Sequence, residues 1–450
     1  MTHSFKYNYE GKVYYFVFHP FSSSLYSVDY AAFLVIKKRY ETLSEEEEKD
    51  YLALSSSEVS EILAEVLDLE KQNYLKTDVQ VPYRKSNIVK ALCLHICHDC
   101  NLRCEYCFAK EGTYNTARDY MSLDVGKAAV DFLIEKSGPR KSLEIDFFGG
   151  EPLLNMDVVK DIVAYARSKE EETGKTFSFT MTTNCLLLND DNIKFLNEEM
   201  DNVVLSIDGR EEVHNAVRKS RNGKDVYDII LANAKKFRAV RGDKRYYVRG
   251  TFTSRNIDFC KDVLTLAKDF DQISVEPVVL PEGHPLAIRK DQIPAILEEY
   301  DKLSQAFIKR REEGKPFNFF HFMIDLDSTP CLNKRLSGCG VGCEYLAVSP
   351  VGDIYPCHQF VGGDKKYYMG NVLDKTFNQD VQEYFRDNTV YSKKGCADCF
   401  AKYYCSGGCT ASALNFEGDI HIPFADACEM MKKRLEVSLA IHSICKEKGI

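Results

Sequence analysis

The sequence predicts an α/β fold, an incomplete parallel barrel of six strand–helix units between a small α+β module and a cysteine-rich segment. Three observations predict this arrangement. Residues 1–86 contain no cysteine and mix strand-like with helix-like stretches. From residue 87, short apolar strands alternate with amphipathic helical segments, which is typical of a parallel sheet. After residue 330, the chain becomes rich in glycine and cysteine and loses regular periodicity.

The composition limits the classes of protein to which the chain can belong. It has 450 residues, of which 44% are hydrophobic, and a formal net charge of −9. This apolar content is sufficient for a hydrophobic core, and the acidic charge argues against a nucleic-acid partner, because phosphate binding needs a basic surface. No apolar run is long enough to span a membrane, and the N-terminus has no signal-peptide pattern. We therefore expect a cytoplasmic protein without a membrane partner.

The first region, residues 1–86, is predicted to be a small α+β module. Residues 12–18, KVYYFVF, indicate a strand, and residues 57–70 carry apolar side chains at helical spacing. The run Glu45–Glu48 is interpreted as the solvated face of a helix, and residues 81–86 as a linker.

The second region, residues 87–285, is predicted to form the barrel. Helical segments 122–135, with Ser122 as the cap, and 158–169 lie between its strands. Fully apolar strands indicate a sheet buried on both faces. Eight units would close a standard barrel, so six indicate a barrel that is open along one side. The predicted strands lie near residues 88–96, 143–148, 176–182, 203–208, 246–253 and 272–279.

Two regions complete the chain. Residues 286–330 are predicted to contain a long helix and a connector. Residues 331–450 show little periodicity, so we expect bound metal rather than a hydrophobic core to hold this segment together.

The distribution of the 17 cysteines indicates metal sites. Five lie within residues 93–107, and nine lie between residues 331 and 428. Dense groups in a reducing compartment favour metal over disulfides. The isolated Cys185, Cys260 and Cys445 are expected to be buried as small hydrophobic residues.

The first group of cysteines can be divided in two ways. One set is Cys93, Cys97 and Cys100, and the other is Cys100, Cys104 and Cys107. We choose the second set, because it follows the first barrel strand, at the edge where active sites of parallel α/β proteins lie. Three thiolates would leave one iron of a four-iron cluster open to a ligand. The alternative is zinc, with His98 as a fourth ligand.

The segment Cys100-NLR-Cys104-EY-Cys107, with Tyr106 before the last cysteine, resembles the signature of the radical S-adenosylmethionine (SAM) enzymes. The resemblance implies that these cysteines hold a 4Fe-4S cluster whose open iron binds SAM. It also implies that one electron cleaves SAM to a 5′-deoxyadenosyl radical, which removes a hydrogen atom from the substrate.

The same resemblance implies which other residues contact SAM. Gly149-Gly150-Glu151 resembles the family's GGE motif, in which glycines allow the backbone to approach the ligand closely. Asn215 departs from the family's usual His-Asp pair at this position, whereas Arg218 suits the methionine carboxylate. A turn or a helix cap is the alternative role for each polar residue. The expected SAM contacts are Tyr106, Gly149, Gly150, Glu151, Thr182, Asn184, Ser206, Asp208 and Arg218.

The C-terminal cysteines resemble the SPASM extension, which carries two auxiliary 4Fe-4S clusters and would bring the total to three. The resemblance implies that Cys409 crosses to the first auxiliary cluster. Cys331, Cys339, Cys343 and Cys357 compete for the other three places there, and two zinc sites are the alternative. The expected ligands are Cys339, Cys343, Cys357 and Cys409 for the first cluster, and Cys396, Cys399, Cys405 and Cys428 for the second.

The whole chain is similar to the maturases that install thioethers in six-cysteines-in-forty-five (SCIFF) ribosomal peptides. The resemblance implies a winged-helix-like N-terminal module that pairs a leader peptide with a strand edge. It also implies a precursor peptide as substrate and an electron donor such as a ferredoxin or flavodoxin. The candidate general bases are His358, Glu276 and Asp353.

Three other functions remain open from the sequence. One is an anaerobic sulfatase-maturating enzyme, which oxidises Cys or Ser to formylglycine; its proposed base is often an Asp after an auxiliary cysteine, whereas His358 follows Cys357 here. The second is another radical modification of a peptide. The third is a non-catalytic iron–sulfur electron carrier or sensor.

Overall fold

The computed structural model describes residues 2–75, 83–326 and 332–450. The first two residues of the predicted linker 81–86, and Cys331, lie outside the described residues. Among the described residues, no helix combines the length and the apolar character needed to cross a membrane.

The N-terminal module contains a three-stranded antiparallel sheet and three helices, as an α+β module requires. The sheet has the order β1-β2-β3, so β3 is an edge strand. Asp29, Ser44 and Ser55 cap the three helices with their side chains. The elements are β1 (His3–Tyr9), β2 (Lys12–His19), β3 (Ser24–Val28), α1 (Tyr30–Tyr40), α2 (Glu45–Leu52) and α3 (Ser56–Lys71).

The interpretation of Glu45–Glu48 as a solvated face is wrong for Glu47. Its side chain is buried, closes the capping box with Ser44, and forms ion pairs with Lys6 (3.0 Å) and Lys37 (2.9 Å). Burial alone would raise the pKa of Glu47, but these partners outweigh it and lower the pKa to about 2. The buried carboxylate therefore holds α2 against α1 and β1.

The barrel contains the six parallel strands that the sequence predicts. β4, β6, β7, β8, β10 and β11 are neighbours in that order, and β5 pairs with β9 in a separate two-stranded sheet. The strands are β4 (Ala91–Cys97), β5 (Leu102–Cys104), β6 (Ser142–Gly149), β7 (Thr176–Thr183), β8 (Asn202–Ser206), β9 (Arg218–Ser220), β10 (Arg245–Phe252) and β11 (Gln272–Pro277). The helices are α4 (Leu123–Lys136), α5 (Met156–Thr173), α6 (Asp190–Glu199), α7 (Glu211–Val217), α8 (Tyr227–Arg241) and α9 (Phe259–Leu266).

The expectation that both faces of this sheet are buried is wrong for most strands. Only β4 is buried along its whole length, whereas β6, β7, β8 and β10 alternate buried with partly exposed residues. The buried face packs on the helices, and the alternate side chains face the interior of the barrel. The partly exposed positions of β6, β7, β8 and β10 include polar side chains such as Thr182 and Ser206, so this face can carry a polar site.

The C-terminal region continues the barrel sheet, which contradicts the prediction that metal rather than a core holds it together. β12 pairs with β11, and β13 pairs in parallel with β4. Ten of the described strands therefore form one continuous sheet. Leu435, Leu439 and Ile444 of the last helix belong to the main apolar core. The elements are α10 (Ile293–Glu312), β12 (Asn318–Phe319), α11 (Leu332–Ser337), β13 (Tyr345–Val348), β14 (Asp353–Tyr355), β15 (Gly370–Asn371), α12 (Gln379–Arg386), α13 (Lys402–Cys405), α14 (Thr410–Glu417) and α15 (Ala425–Lys448).

The N-terminal module is packed against the rest of the chain through β1. Phe5, Tyr7 and Tyr9 join the main apolar core. The Tyr7 hydroxyl hydrogen-bonds Ser304 Oγ of α10 at 2.7 Å, and His3 Nε2 lies 2.9 Å from Glu436 of α15. Backbone groups of β1 also have partners outside the sheet, because Ser4 N donates to Glu41 Oε1 at 2.6 Å and the Asn8 carbonyl accepts from Gln305 at 3.4 Å. We therefore consider β3 the edge that a further strand could join.

Candidate active site and cysteine clusters

Cys100, Cys104 and Cys107 lie together in the segment between β4 and α4, at the carboxyl edge of the parallel sheet. All three side chains are partly accessible. Burial raises the pKa of Cys100, and Glu151, Cys104 and Cys107 raise it further, so the three sulfurs are electrostatic neighbours. Such a group of soft donors favours iron–sulfur or zinc binding over magnesium or calcium.

The alternative set does not have this arrangement. Cys93 is buried in the middle of β4, and Cys97 is buried at its end. Cys97 Sγ donates to the carbonyl oxygens of Asp99 (3.3 Å) and Glu151 (3.1 Å). This geometry supports the choice of Cys100, Cys104 and Cys107.

Among the described residues, no three His, Cys, Asp or Glu side chains are placed to hold one metal ion. His98 is unsuited as a fourth zinc ligand, because Nε2 pairs with His95 Nδ1 at 3.1 Å and Nδ1 pairs with Thr116 at 2.7 Å.

Arg218 is directed toward the cysteine loop by a buried network. The β5–β9 pairing places Cys104 opposite Arg218, whose Nη1 is 3.9 Å from Cys104 Sγ. Arg218 Nε and the Tyr106 hydroxyl both donate to Asp208 Oδ2, at 2.9 and 2.6 Å. Burial raises the pKa of Cys104 to about 12, and the guanidinium opposes that rise. A cation in this position suits a bound carboxylate.

Asp208 was expected to contact SAM, but the structure gives it an internal role. Its side chain is fully buried, and its second oxygen accepts from Thr251 N at 3.0 Å. Both carboxylate oxygens are therefore used by protein donors. Asp208 positions Arg218 and Tyr106, because a buried guanidinium needs a paired anion.

Gly149 and Gly150 are required by the protein's own backbone. A Cβ atom on Gly149 would lie 2.4 Å from the Cys97 carbonyl oxygen, and one on Gly150 would lie 1.9 Å from that of Asp99. The Gly149 carbonyl already accepts from the Tyr114 hydroxyl at 3.0 Å. The glycines thus let β6 pass close to the start of the cysteine loop, and their expected contact with SAM stays a prediction.

Glu151 joins the ends of β6 and β7. Its buried carboxylate accepts from Leu153 N (3.1 Å), the Thr183 hydroxyl (2.8 Å) and Asn184 N (2.7 Å). Burial raises the pKa of Glu151 to about 7 against these hydrogen bonds. Like Asp208, Glu151 is hydrogen-bonded within the protein, and the SAM contact expected of each residue stays a prediction.

The remaining expected contacts lie at the carboxyl ends of β7 and β8. Asn184 Nδ2 donates to Asn101 Oδ1 at 2.7 Å and lies 3.6 Å from Cys100 Sγ, which connects β7 to the cysteine loop. Thr182 and Ser206 are partly exposed on the interior face. These two residues and Arg218 remain available to a ligand above the sheet.

The structure separates the three candidate bases. His358 lies beside Phe108 and Phe148, with ring centroids 5.6 and 5.1 Å away, and burial lowers its pKa to about 4. Asp353 accepts from Asn371 at 2.9 Å in the C-terminal hairpin, and no contact with the cysteine loop is found for it among the described residues.

Glu276 lies on the interior face of β11, in a polar group that the sequence analysis missed. Its carboxylate is 3.4 Å from Arg249 and 3.5 Å from His321. Burial would raise the pKa of Glu276, but Arg249, His321 and Arg434 outweigh it and lower the pKa. Strand alternation around Arg249 could have identified that residue, whereas no sequence pattern indicates His321 or Arg434.

Cys409 lies near the upstream cysteines, and its crossing to the first auxiliary cluster stays a prediction. Burial raises the pKa of Cys357, and Cys339 and Cys409 raise it further. Gln359, two residues after Cys357, places Nε2 at 4.0 Å from Cys409 Sγ. Cys343 is buried in the same apolar cluster as Cys357, and its Sγ lies 3.5 Å from the Gln382 carbonyl.

The second C-terminal group consists of Cys396, Cys399, Cys405 and Cys428. Burial raises the pKa of Cys396 to about 12, and Cys405 and Cys428 raise it further. Burial likewise raises the pKa of Cys428 to about 11, with Cys405 and Cys399 as the neighbouring sulfurs. Four soft donors in one group fit an iron–sulfur cluster. The isolated Cys185, Cys260 and Cys445 are buried, as predicted.

Comparison with known families agrees with these groups of residues. Residues 94–254 match the Radical SAM superfamily, and residues 339–400 match SPASM, an iron–sulfur cluster-binding domain. The chain therefore combines a radical SAM domain with a SPASM domain. The radical SAM domain indicates radical SAM chemistry, and the chain is similar to peptide and sulfatase maturases.

Two relatives indicate the range of this group. The cysteine-type anaerobic sulfatase-maturating enzyme of Clostridium novyi is 27% identical over 328 residues, which cover 69% of this chain and 85% of that protein. The radical SAM cyclopropyl synthase TigE of Paramaledivibacter caminithermalis is 20% identical over 451 residues, which cover 92% of this chain and 90% of TigE.

Two solved structures have the same fold. The anSMEcpe structure with bound AdoMet has a TM-score of 0.67 at 20% identity, covering 80% of this chain and 96% of that one. Streptococcus suis SuiB bound to the precursor peptide SuiA has a TM-score of 0.53 at 15% identity, covering 92% and 96%.

Proposed function

We propose that this protein is a peptide maturase that joins a cysteine sulfur of a ribosomal precursor peptide to a carbon of an acceptor residue, forming an intramolecular thioether. The observation that carries the proposal is the N-terminal module with its edge strand β3, attached to a radical SAM and SPASM core. A leader peptide can add to such an edge by main-chain hydrogen bonds.

The extent of the similarities supports a peptide substrate. Residues 87–450 make up only about four fifths of the chain, so a match that covers 92% of it includes part of the N-terminal module. TigE and SuiB match to this extent, and SuiB was solved with its precursor peptide. We infer that the N-terminal module of this chain takes part in binding a precursor peptide.

Three 4Fe-4S clusters are proposed. Cys100, Cys104 and Cys107 would hold the cluster that binds SAM. When bound, the cluster and SAM would supply a 5′-deoxyadenosyl radical that takes a hydrogen atom from the peptide. The auxiliary clusters would accept the electron that remains after the C–S bond has formed. A ferredoxin or flavodoxin is the proposed electron donor. The eight auxiliary ligands are Cys339, Cys343, Cys357, Cys409, Cys396, Cys399, Cys405 and Cys428.

The chain's own residues bind and orient the reactants. Arg218, fixed by Asp208, pairs with the SAM carboxylate, and Thr182 and Ser206 contact the nucleoside from the ends of β7 and β8. Phe108 and Phe148, which both lie beside His358, reduce the access of water to the mouth of the barrel.

Formation of the thioether breaks a peptide C–H bond and a peptide S–H bond and forms one C–S bond. The hydrogen atom leaves with the adenosyl group, the thiol releases a proton, and one electron remains. Glu276 is the proposed proton acceptor, because its carboxylate lies on a barrel strand and its side chain is 37% exposed.

The test is a reaction of the reconstituted enzyme, kept anaerobic, with SAM, a reductant and a cysteine-rich precursor peptide that retains its leader. We expect a product that has lost two hydrogen atoms and has one thiol fewer for alkylation. The same peptide with its cysteines replaced by alanine should be unmodified. A product with every thiol still alkylatable would refute the proposal.

Formylglycine formation is the second candidate, favoured by the 27% identity to a sulfatase-maturating enzyme. The same assay separates the two reactions. Formylglycine formation from cysteine removes sulfur and creates an aldehyde that reacts with hydrazines, whereas a thioether retains sulfur.

A further inference from the structure

Lys393 lies buried between the two groups of C-terminal cysteines. Its side chain is 4% exposed, and Nζ donates to the Gly407 carbonyl at 2.8 Å. Gly407 is located midway between Cys405 and Cys409 in the sequence Cys-Ser-Gly-Gly-Cys. These two cysteines are the proposed ligands of different clusters, so the lysine contacts the segment that connects the clusters.

The backbone at Gly407 is shaped to accept this lysine. A Cβ atom on Gly407 would lie 2.9 Å from Lys393 Cδ, and the glycine has a φ of +82°, which side-chain-bearing residues rarely adopt. Any larger residue here would displace the lysine. The glycine therefore permits a close approach between the lysine side chain and the ligand-bearing turn.

Cysteines of both C-terminal groups interact electrostatically with the Lys393 ammonium. Burial lowers the pKa of Lys393, and Cys396, Cys405, Cys409 and Cys339 oppose the decrease. Two of these cysteines belong to each proposed cluster. A buried ammonium is unfavourable unless an anion is nearby, and a cluster with cysteine thiolates supplies negative charge at both sides.

Two other buried lysines lie beside a single group of cysteines. Lys85 is 1% exposed, and burial lowers its pKa; Cys343 and Cys339 of the first group oppose the decrease, whereas Lys393 adds to it. Lys402 is 3% exposed, and its Nζ donates to the Ala397 carbonyl at 2.7 Å, within the second group. Lys393 differs from both because it contacts the segment that connects the two groups.

We propose that Lys393 is a positioning residue whose fixed positive charge raises the reduction potentials of both auxiliary clusters. The potential of an iron–sulfur cluster depends on nearby charge, and a cation favours the reduced, more negative state. Raised potentials favour uptake of the electron that remains after C–S bond formation. The inference rests on the proposed function, which assigns one iron–sulfur cluster to each of the two cysteine groups.

The experiment compares reduction potentials of the reconstituted holoenzyme by redox titration followed with EPR. In Lys393→Met, we expect both auxiliary clusters to become harder to reduce by at least tenfold in the reduction equilibrium, which is 59 mV for one electron. Lys393→Gln can keep the hydrogen bond to Gly407 but loses the charge, so it should show the same change. Lys393→Arg should retain most of the parent potential.

Two further variants test the location of the charge. Lys394 is exposed and adjacent in sequence, so Lys394→Met should leave all potentials unchanged. Lys85→Met should change the first auxiliary cluster only. In every variant, the potential of the cluster held by Cys100, Cys104 and Cys107 should be that of the parent.

The outcomes separate this inference from the proposed function. Parent potentials in both neutral variants with full iron content would overturn the inference and leave the proposed function intact. Iron loss in both neutral variants but not in Lys393→Arg would support a need for the charge, and loss in all three would overturn it. A parent protein with iron for a single cluster would instead refute the proposed clusters.

Discussion

Cys104 and Arg218 lie opposite each other in the short antiparallel pair β5–β9, with 3.9 Å between the guanidinium Nη1 and the thiol Sγ. The two residues are 114 positions apart in the chain. Their pairing joins the cysteine loop to the segment after α7, and it directs the cation toward the proposed SAM carboxylate.

Replacement of Arg218 by methionine is expected to weaken SAM binding about 10- to 100-fold, because a charge-assisted hydrogen bond contributes about 1.5–3 kcal/mol. The measurement is the affinity for SAM, with iron content determined in parallel. Lys219→Met, a more exposed neighbour on β9, is the control and should bind SAM normally. Unchanged affinity in Arg218→Met would show that the carboxylate binds elsewhere.

The triple substitution Cys100→Ala, Cys104→Ala and Cys107→Ala should abolish cleavage of SAM to 5′-deoxyadenosine and retain iron at the C-terminal sites. The reason is that no thiolate remains to hold the proposed SAM-binding cluster. Cys93→Ala is the control, because Cys93 is buried within β4. Cleavage by the triple variant would mean that the chosen set of cysteines is wrong.

Glu276→Gln is expected to slow product formation at least tenfold while 5′-deoxyadenosine still forms, since only proton transfer from the peptide thiol is affected. The ratio of 5′-deoxyadenosine to thioether product should therefore rise. Asp353→Asn, in the C-terminal hairpin, serves as the control and should keep the parent ratio. An equal decrease of both products in Glu276→Gln would indicate a role before hydrogen abstraction.

Asp146 should make the protein less stable as the pH rises toward neutrality. Burial raises its pKa from 3.8 to about 7, with a further rise from Glu144, and hydrogen bonds from Thr180 and Tyr345 oppose the change. Because the folded state binds this proton more tightly than the unfolded state does, the contribution to stability is complete below 3.8 and is lost as the pH passes about 7.

Asp146→Asn should consequently flatten the dependence of the thermal midpoint on pH between mildly acidic and neutral conditions. Asp157→Asn, on the exposed start of α5, should retain the parent dependence. Identical pH profiles for the parent and Asp146→Asn would mean that Asp146 does not hold its proton in the folded protein.

Ser27→Pro should weaken binding of the leader peptide at least tenfold, because proline disrupts main-chain pairing on the edge strand β3. Cleavage of SAM without peptide should remain at the parent rate. Ser27→Ala removes the same hydroxyl but keeps the backbone N–H, so it should bind the leader normally. Leader affinity can be measured by fluorescence anisotropy, and equal affinity of both variants would place the leader elsewhere.

Features that repeat or cluster locally could be predicted from the sequence. The six parallel strands, the Ser122 cap and the buried state of Cys185 follow from periodicity and local preferences, and the structure confirms them. Motif spacing also identified the radical SAM and SPASM domains, because several ligands of each proposed cluster lie close together in the sequence.

The sequence was less informative about what each polar motif residue contacts. Asp208 and Glu151 belong to the expected SAM-binding motifs, yet their carboxylates are buried and accept hydrogen bonds from the protein. Gly150 must lack a side chain, because a Cβ atom there would collide with the Asp99 carbonyl oxygen. A motif records that a residue type is required, whereas only the packed structure distinguishes a ligand contact from a support for one.

The sequence by itself determined the fold class, the cysteine groups and the alternation of strands and helices, since all of these depend on near neighbours in the chain. Tertiary structure decided which distant groups meet: Cys104 with Arg218, Cys409 with Gln359, and Lys393 with Gly407. It also decided that β13 extends the barrel sheet. The physical reason is that such contacts arise from burial and pairing of the whole chain, which no local spacing encodes.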